Sequence, residues 1–273
     1  MDLLEQLLAD ALPFGARHVA LTGGEPHLHP AFEQMVETIT AYGYTWHFVS
    51  HGQRSEPYLP VMAKHRDKLT HVSLSVDGAD AETHDTLRNR PGAFEKVRAS
   101  ARTYVELGYK VRLSVTLNQQ NKTQVEALVQ LAREWSAYGI NFAGTIPTDW
   151  NQELVLSDQQ SLELYHQILA LREQTKFDLR PVSSLQGRGG VNFCRNLNLH
   201  EAAFNARGEL IFCCDTIEDG ALIGSIKELP LYELVKRWLK QSADLQIQRA
   251  ERIAKGNLGE KFDTCAFCNA FFN

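Results

Sequence analysis

The residues Leu21-Thr22-Gly23-Gly24-Glu25-Pro26 have the types and spacing to hold a small charged molecule. Two consecutive glycines carry no Cβ, so the backbone there can turn sharply and come close to a ligand. Glu25 adds a carboxylate at the same turn, and Pro26 fixes the direction in which the chain leaves. Backbone donors and acceptors beside one carboxylate suit a zwitterion such as an amino acid. The same composition also serves an ordinary strand-to-helix loop.

A second set is thiol-based. The five cysteines, Cys194, Cys213, Cys214, Cys265 and Cys268, all lie in the last third of the chain. Cys265-x-x-Cys268 has the local bite of a thiolate metal site. Thirteen residues separate Cys194 from Gly208, and four separate Gly208 from Cys213. Asn205-Ala206-Arg207-Gly208 reads as a hairpin turn that brings Cys194 and Cys213 together. Such clustering indicates metal ligation more than disulfides. Four thiolates suit an iron–sulfur cluster or structural zinc.

The glycine-rich stretch resembles the GGEP motif of radical S-adenosylmethionine (radical SAM) enzymes, where it binds the methionine amino group of the cofactor. The segment Val72-Ser73-Leu74-Ser75-Val76-Asp77-Gly78, continuing through His84, Asp85 and Arg88, looks like the corresponding segment of that family. The resemblance implies that Ser75 and Arg88 hold the cofactor carboxylate, for which a guanidinium is physically suited. It implies more weakly that Asn118 contacts the ribose. Asp77 reads as a turn initiator. Ser50-His51-Gly52 departs from the family's Thr-Asn-Gly and is given no role. The cysteine spacing is similar to the SPASM/twitch extension of many radical SAM enzymes, closer to a twitch. This implies an auxiliary 4Fe–4S cluster on Cys194, Cys213, Cys265 and Cys268, with Cys214 as a neighbour that could exchange with Cys213.

One part of the family pattern is missing. Residues 1–193 contain no cysteine, so the CxxxCxxC that binds the catalytic cluster is not there. The expectation is a truncated radical SAM enzyme, with a degenerate member as the other account. Complete relatives receive an electron from a donor, cleave SAM, and use the 5′-deoxyadenosyl radical to modify a substrate. SPASM and twitch relatives often act on peptides or proteins. This chain alone is expected to be inactive.

These residues need a scaffold. Short apolar runs at Arg17–Leu21, Thr45–Val49, Thr70–Val76, Lys110–Leu117 and Ile140–Ile146 read as five strands. Helical patterns separate them: a leucine stripe over residues 2–12, then Pro30 to about Tyr42, Glu56–His65, segments to about Leu107, a helix that Asn121 can cap, and a long helix with a Ser157/Gln160 capping box. Strict alternation means parallel βα units. Val72, Leu74 and Val76 oppose Ser73, Ser75 and Asp77, while Val111, Leu113, Val115 and Leu117 oppose Arg112, Ser114, Thr116 and Asn118. One apolar and one polar face fit a curved sheet around a polar cavity. The fold expected is a partial parallel (β/α) barrel over 1–180, lacking its first strand, followed by a small cysteine-rich α+β domain over 181–273. The glycine stretch, Ser50, Ser75 and Asn118 then share the C-terminal ends of the strands, where such barrels gather function.

The formal net charge of −5 argues against general nucleic-acid binding, and no apolar run is long enough to span a membrane. A cytoplasmic location fits the thiol usage. The rival from another class is a non-catalytic binding protein, a degenerate barrel with a structural four-cysteine zinc site.

Overall fold

Alternation of strand and helix through the first two-thirds of the chain builds a single parallel sheet in the computed structural model, which describes residues 2–148, 150–181, 185, 200–213 and 222–255. After helix α1 (Asp2–Ala11) come β1 (His18–Leu21), α2 (Phe32–Ala41), β2 (Thr45–Ser50), α3 (Leu59–Lys64) and β3 (Leu69–Ser75). Then follow α4 (Ala81–Leu87), α5 (Ala93–Glu106), β4 (Val111–Leu117), α6 (Val125–Glu134), β5 (Gly139–Gly144), α7 (Asp158–Thr175) and β6 (Asp178–Pro181). Every strand lies parallel to the next, in the order β1-β2-β3-β4-β5-β6. No strand order reverses, so the crossovers wind in one sense and place the helices on one face. That is the winding of an incomplete barrel, as expected, and not of a doubly wound sheet.

The strands number six where five were expected. β6 escaped because Asp178-Leu179-Arg180-Pro181 carries two charges and a proline, which an edge strand tolerates and a central one does not. Other differences are local. α6 starts at Val125 after a 3₁₀ turn over Lys122–Gln124, and Asn121 does not cap it. The Asn121 side chain instead donates to the carbonyls of Asp77 (2.7 Å) and Thr116 (2.9 Å), joining β3 to β4. The Ser157/Gln160 capping box is present on α7.

The apolar faces behave as the alternation requires. Trp46, Phe48, Val72, Leu74, Leu113 and Leu117 are all 0% exposed, packed under helices that contribute Val36, Ile39 and Met62. The opposite face is polar. His18, His47 and His71 stack across β1, β2 and β3, with ring centroids 4.9 and 4.3 Å apart. Beside them Arg112, 2% exposed, donates to the Tyr138 hydroxyl, Asn141 and Asp178.

A second unit follows. β7 (Ala203–Phe204), β8 (Glu209–Ile211) and β9 (Leu222–Ser225) form an antiparallel sheet, and α8 (Leu231–Ala254) packs on it. The turn expected at Asn205–Gly208 links β7 to β8, with Gly208 at φ +81° and its N–H bonded to the Asn205 carbonyl. Helix α1 serves both units. Leu4, Leu8 and Leu12 at its end join the sheet's core, whereas Leu3 and Leu7 join the core of Leu210, Phe212, Ile223 and Trp238.

Candidate functional site

The turn after β1 carries Gly23, Gly24, Glu25 and Pro26 to the C-terminal edge of the sheet. Gly23 adopts φ +114°, a conformation that L side chains rarely take; Gly24 does not need it. No other atom lies within 4 Å of where a Cβ would stand on either glycine. The backbone is therefore open to a ligand at this point.

Glu25 turns the other way. Its side chain is 1% exposed and lies against the end of β2 and the start of α3. Oε1 accepts the hydroxyls of Ser50 (2.5 Å) and Tyr58. Oε2 accepts the backbone N–H of His51 (3.1 Å) and faces the Nε2 of the same residue at 3.0 Å. His27 Nδ1 stands 3.5 Å from Oε1. Because Nδ1 of His51 accepts the N–H of Gln53 at 3.2 Å, the neutral ring carries its proton on Nε2, which donates to Glu25. Burial pushes His51 below the ordinary imidazole range, Glu25 pulls it back, and Arg90, His27 and Arg88 lower it further. Burial and then the Glu25 carboxylate push the Tyr58 phenol upward, so it remains a donor.

A second network sits beyond the ends of β3 and β4. Asp77 Oδ2 pairs with Arg88 Nη2 at 2.8 Å, and Oδ1 accepts the N–H of Thr116 at 2.8 Å. Its own N–H donates to His84 Nδ1, and burial lowers the pKa of that imidazole. Asp77 thus joins β4 to α4, where the sequence indicated only a turn. Arg88 is one-third exposed, and its guanidinium has donors beyond the one given to Asp77. Asn118 closes its own turn, its Oδ1 accepting from Gln120 N–H. Ser75 ends β3 beside Ser114.

The structure therefore gathers Gly23, Gly24, Ser75, Arg88 and Asn118 at one edge of the sheet, with Glu25 and Pro26 buried beneath. An open glycine backbone and a part-exposed guanidinium fit the amino-acid end of SAM. Ser50, His51 and Tyr58 were missed as site residues. The place of Ser50-His51-Gly52 after β2 was the available signal; nothing in the sequence singles out Tyr58.

Of the thiol set, only Cys213 falls among the described residues; it is half-buried against the second core. Cys194, Cys214, Cys265 and Cys268 lie outside them. Among the described residues no three His, Cys, Asp or Glu side chains are grouped to hold a metal, and no helix is long and apolar enough to cross a membrane.

Residues 1–132, which contain both networks, match the family model described as the Radical SAM superfamily. Over that stretch the chain belongs to the radical SAM superfamily. It is 24% identical over 295 residues to the AdoMet-dependent heme synthase of Methanosarcina barkeri, covering 98% of this chain and 82% of that protein. It is 25% identical to the mycofactocin maturase MftC of Mycobacterium tuberculosis over 77% of this chain and 55% of that one. Crystal structures of Streptococcus suis SuiB, bound to S-adenosylmethionine or to the precursor peptide SuiA, superpose with TM-scores of 0.68 and 0.67. Identity there is 15% and 14%, with 85% of this chain and 57% of SuiB covered, a likeness of fold. The chain spans little more than half the length of MftC and SuiB, and more of the heme synthase.

Proposed function

We propose that this radical SAM chain binds SAM at the C-terminal edge of its parallel sheet and belongs to an enzyme that modifies a peptide. The observation that carries the proposal is the open backbone at Gly23 and Gly24, on the same edge as Ser75 and Arg88. Gly23 and Gly24 let the methionine end approach the chain, Arg88 and Ser75 take its carboxylate, and the Asn118 amide serves the ribose. Asp77 holds the Arg88 guanidinium in place for this. SAM, when reductively cleaved, supplies the radical that takes hydrogen from substrate. The polar inner face of the sheet accommodates that substrate. A 4Fe–4S cluster on Cys194, Cys213, Cys265 and Cys268 is the auxiliary centre of the same proposal, with a cytoplasmic compartment and an external electron donor. Because residues 1–193 hold no cysteine, the three thiolates of a SAM-reducing cluster are not supplied by them, and the chain by itself does not turn over.

The peptide reading is supported by SuiB, whose fold this chain shares and which binds a precursor peptide. The heme synthase likeness, spanning 98% of the chain, favours a tetrapyrrole as the second reading. SAM binding is tested by titrating isotope-labelled protein with SAM. Shifts confined to residues 22–26, 75–78, 88 and 118 support the site; no shift, or shifts elsewhere, overturn it. Separate titrations with a precursor peptide and with a porphyrin, followed on β1–β5, distinguish the two substrates.

A further inference from the structure

A carboxylate offers about four acceptor positions. On Glu25 all four are engaged: two by the Ser50 and Tyr58 hydroxyls, one by the His51 backbone N–H, and one by the His51 ring. If the ammonium group of SAM is to reach Glu25, it must displace one of these donors. Three of them are fixed. Ser50 is 2% exposed and also accepts the Gly52 N–H at 2.9 Å, Tyr58 is 0% exposed, and the third donor is backbone. The His51 ring differs. Its side chain is 36% exposed and reaches Glu25 through one nitrogen. It stands at the same sheet edge as the open glycine backbone, with Arg88 and Arg90 close enough to act on its charge.

We infer that His51 is a displaceable stand-in for the ligand's ammonium, occupying the Glu25 acceptor until an amino-acid end arrives. This rests on the proposed SAM site and deepens it. Before binding, the imidazole N–H keeps the buried carboxylate fully bonded. On binding, the cation replaces the neutral donor and the ring swings toward solvent. Recognition then selects a positively charged amine, since a neutral group gains nothing by exchanging with an imidazole. His51 acts here through Glu25 as a positioning and specificity residue.

The test uses the full chain, His51→Ala and His51→Gln, with the histidine ring nitrogens observed by NMR. Wild type should show the Nε2–H tautomer at His51 before ligand, and SAM should remove that hydrogen-bonded signal. His51→Ala should bind SAM about three- to tenfold more tightly, the range set by one solvent-accessible hydrogen bond. His51→Gln keeps a donor and should show no such gain. Methylthioadenosine, which lacks the amino acid, should bind wild type and His51→Ala equally. SAM affinity unchanged or weaker in a folded His51→Ala overturns the inference, as does an Nδ1–H tautomer in the ligand-free protein. Failure of SAM to bind wild type and variants alike overturns the SAM site itself, and the inference with it.

Discussion

The hydroxyl of Tyr58 donates to the Glu25 carboxylate from 33 residues away, tying the turn after the first strand to the start of the third helix. Both groups are buried, so the bond is a structural part of the site floor. Tyr58→Phe keeps the ring volume and its stacking on Phe48 but removes the donor. It should cost about 1.5–3 kcal/mol, the usual range for a hydrogen bond to a charged group. Urea denaturation measures this; an unchanged midpoint at unchanged slope would show that Glu25 does not depend on the phenol.

The two glycines should behave differently. Gly23→Ala forces a side chain into φ +114° and should destabilise by about 1–3 kcal/mol. Gly24→Val needs no positive φ, and its side chain enters open space. It should leave stability nearly unchanged while weakening SAM binding. Equal effects of both on stability would mean the open space is filled in solution.

Arg88→Ala should also weaken SAM binding, and because Asp77 loses its ion pair, part of the effect will be structural. Calorimetry with SAM, run beside urea denaturation, separates the two. A variant that loses stability yet binds SAM as wild type does would remove Arg88 from the cofactor site.

Acid should loosen the histidine face. Burial, then Arg112, His18, Arg180 and Lys110, lower the His71 pKa to about 4 from 6.5. The unfolded chain therefore takes up the proton first, and folding stability falls as pH drops from 6.5 toward 4. The share of His71 is roughly 2–3 kcal/mol. His71→Phe preserves a ring beside His47 and Tyr138 but does not titrate, so its loss between pH 7.5 and 4.5 should be smaller by that amount. Equal losses in the two proteins would place His71 in water.

Anaerobic reconstitution should give a brown protein containing iron and sulfide. Cys194→Ala, Cys213→Ala, Cys265→Ala and Cys268→Ala should each lower the iron bound, and Cys214→Ala should not. Zinc without sulfide would favour a structural site. Incubated with SAM and dithionite, the reconstituted chain should release no 5′-deoxyadenosine above a protein-free control; release would mean that a C-terminal cluster had taken the catalytic role.

Much of this architecture was legible because period-two alternation and parallel connection are local signals. Val72, Leu74 and Val76 announce a helix-covered face whatever surrounds them, and Gly23-Gly24 announces a turn. Partner choice was not legible. Glu25 could point outward to a ligand or inward to Tyr58, and the sequence holds no trace of that distance. Asp77 likewise has the residue type of a turn initiator, and only the approach of Thr116 and Arg88 makes it a strut. β6 stayed hidden because an edge strand needs few apolar residues.

Helix α1 has leucines committed in two directions, Leu4 and Leu8 to the sheet's core and Leu3 and Leu7 to the core beneath α8. Neither unit can release this helix without wetting apolar surface in the other. The two halves thus share one cooperative melting event, and a loss of order around β7–β9 is felt at β1, one turn of chain before Gly23.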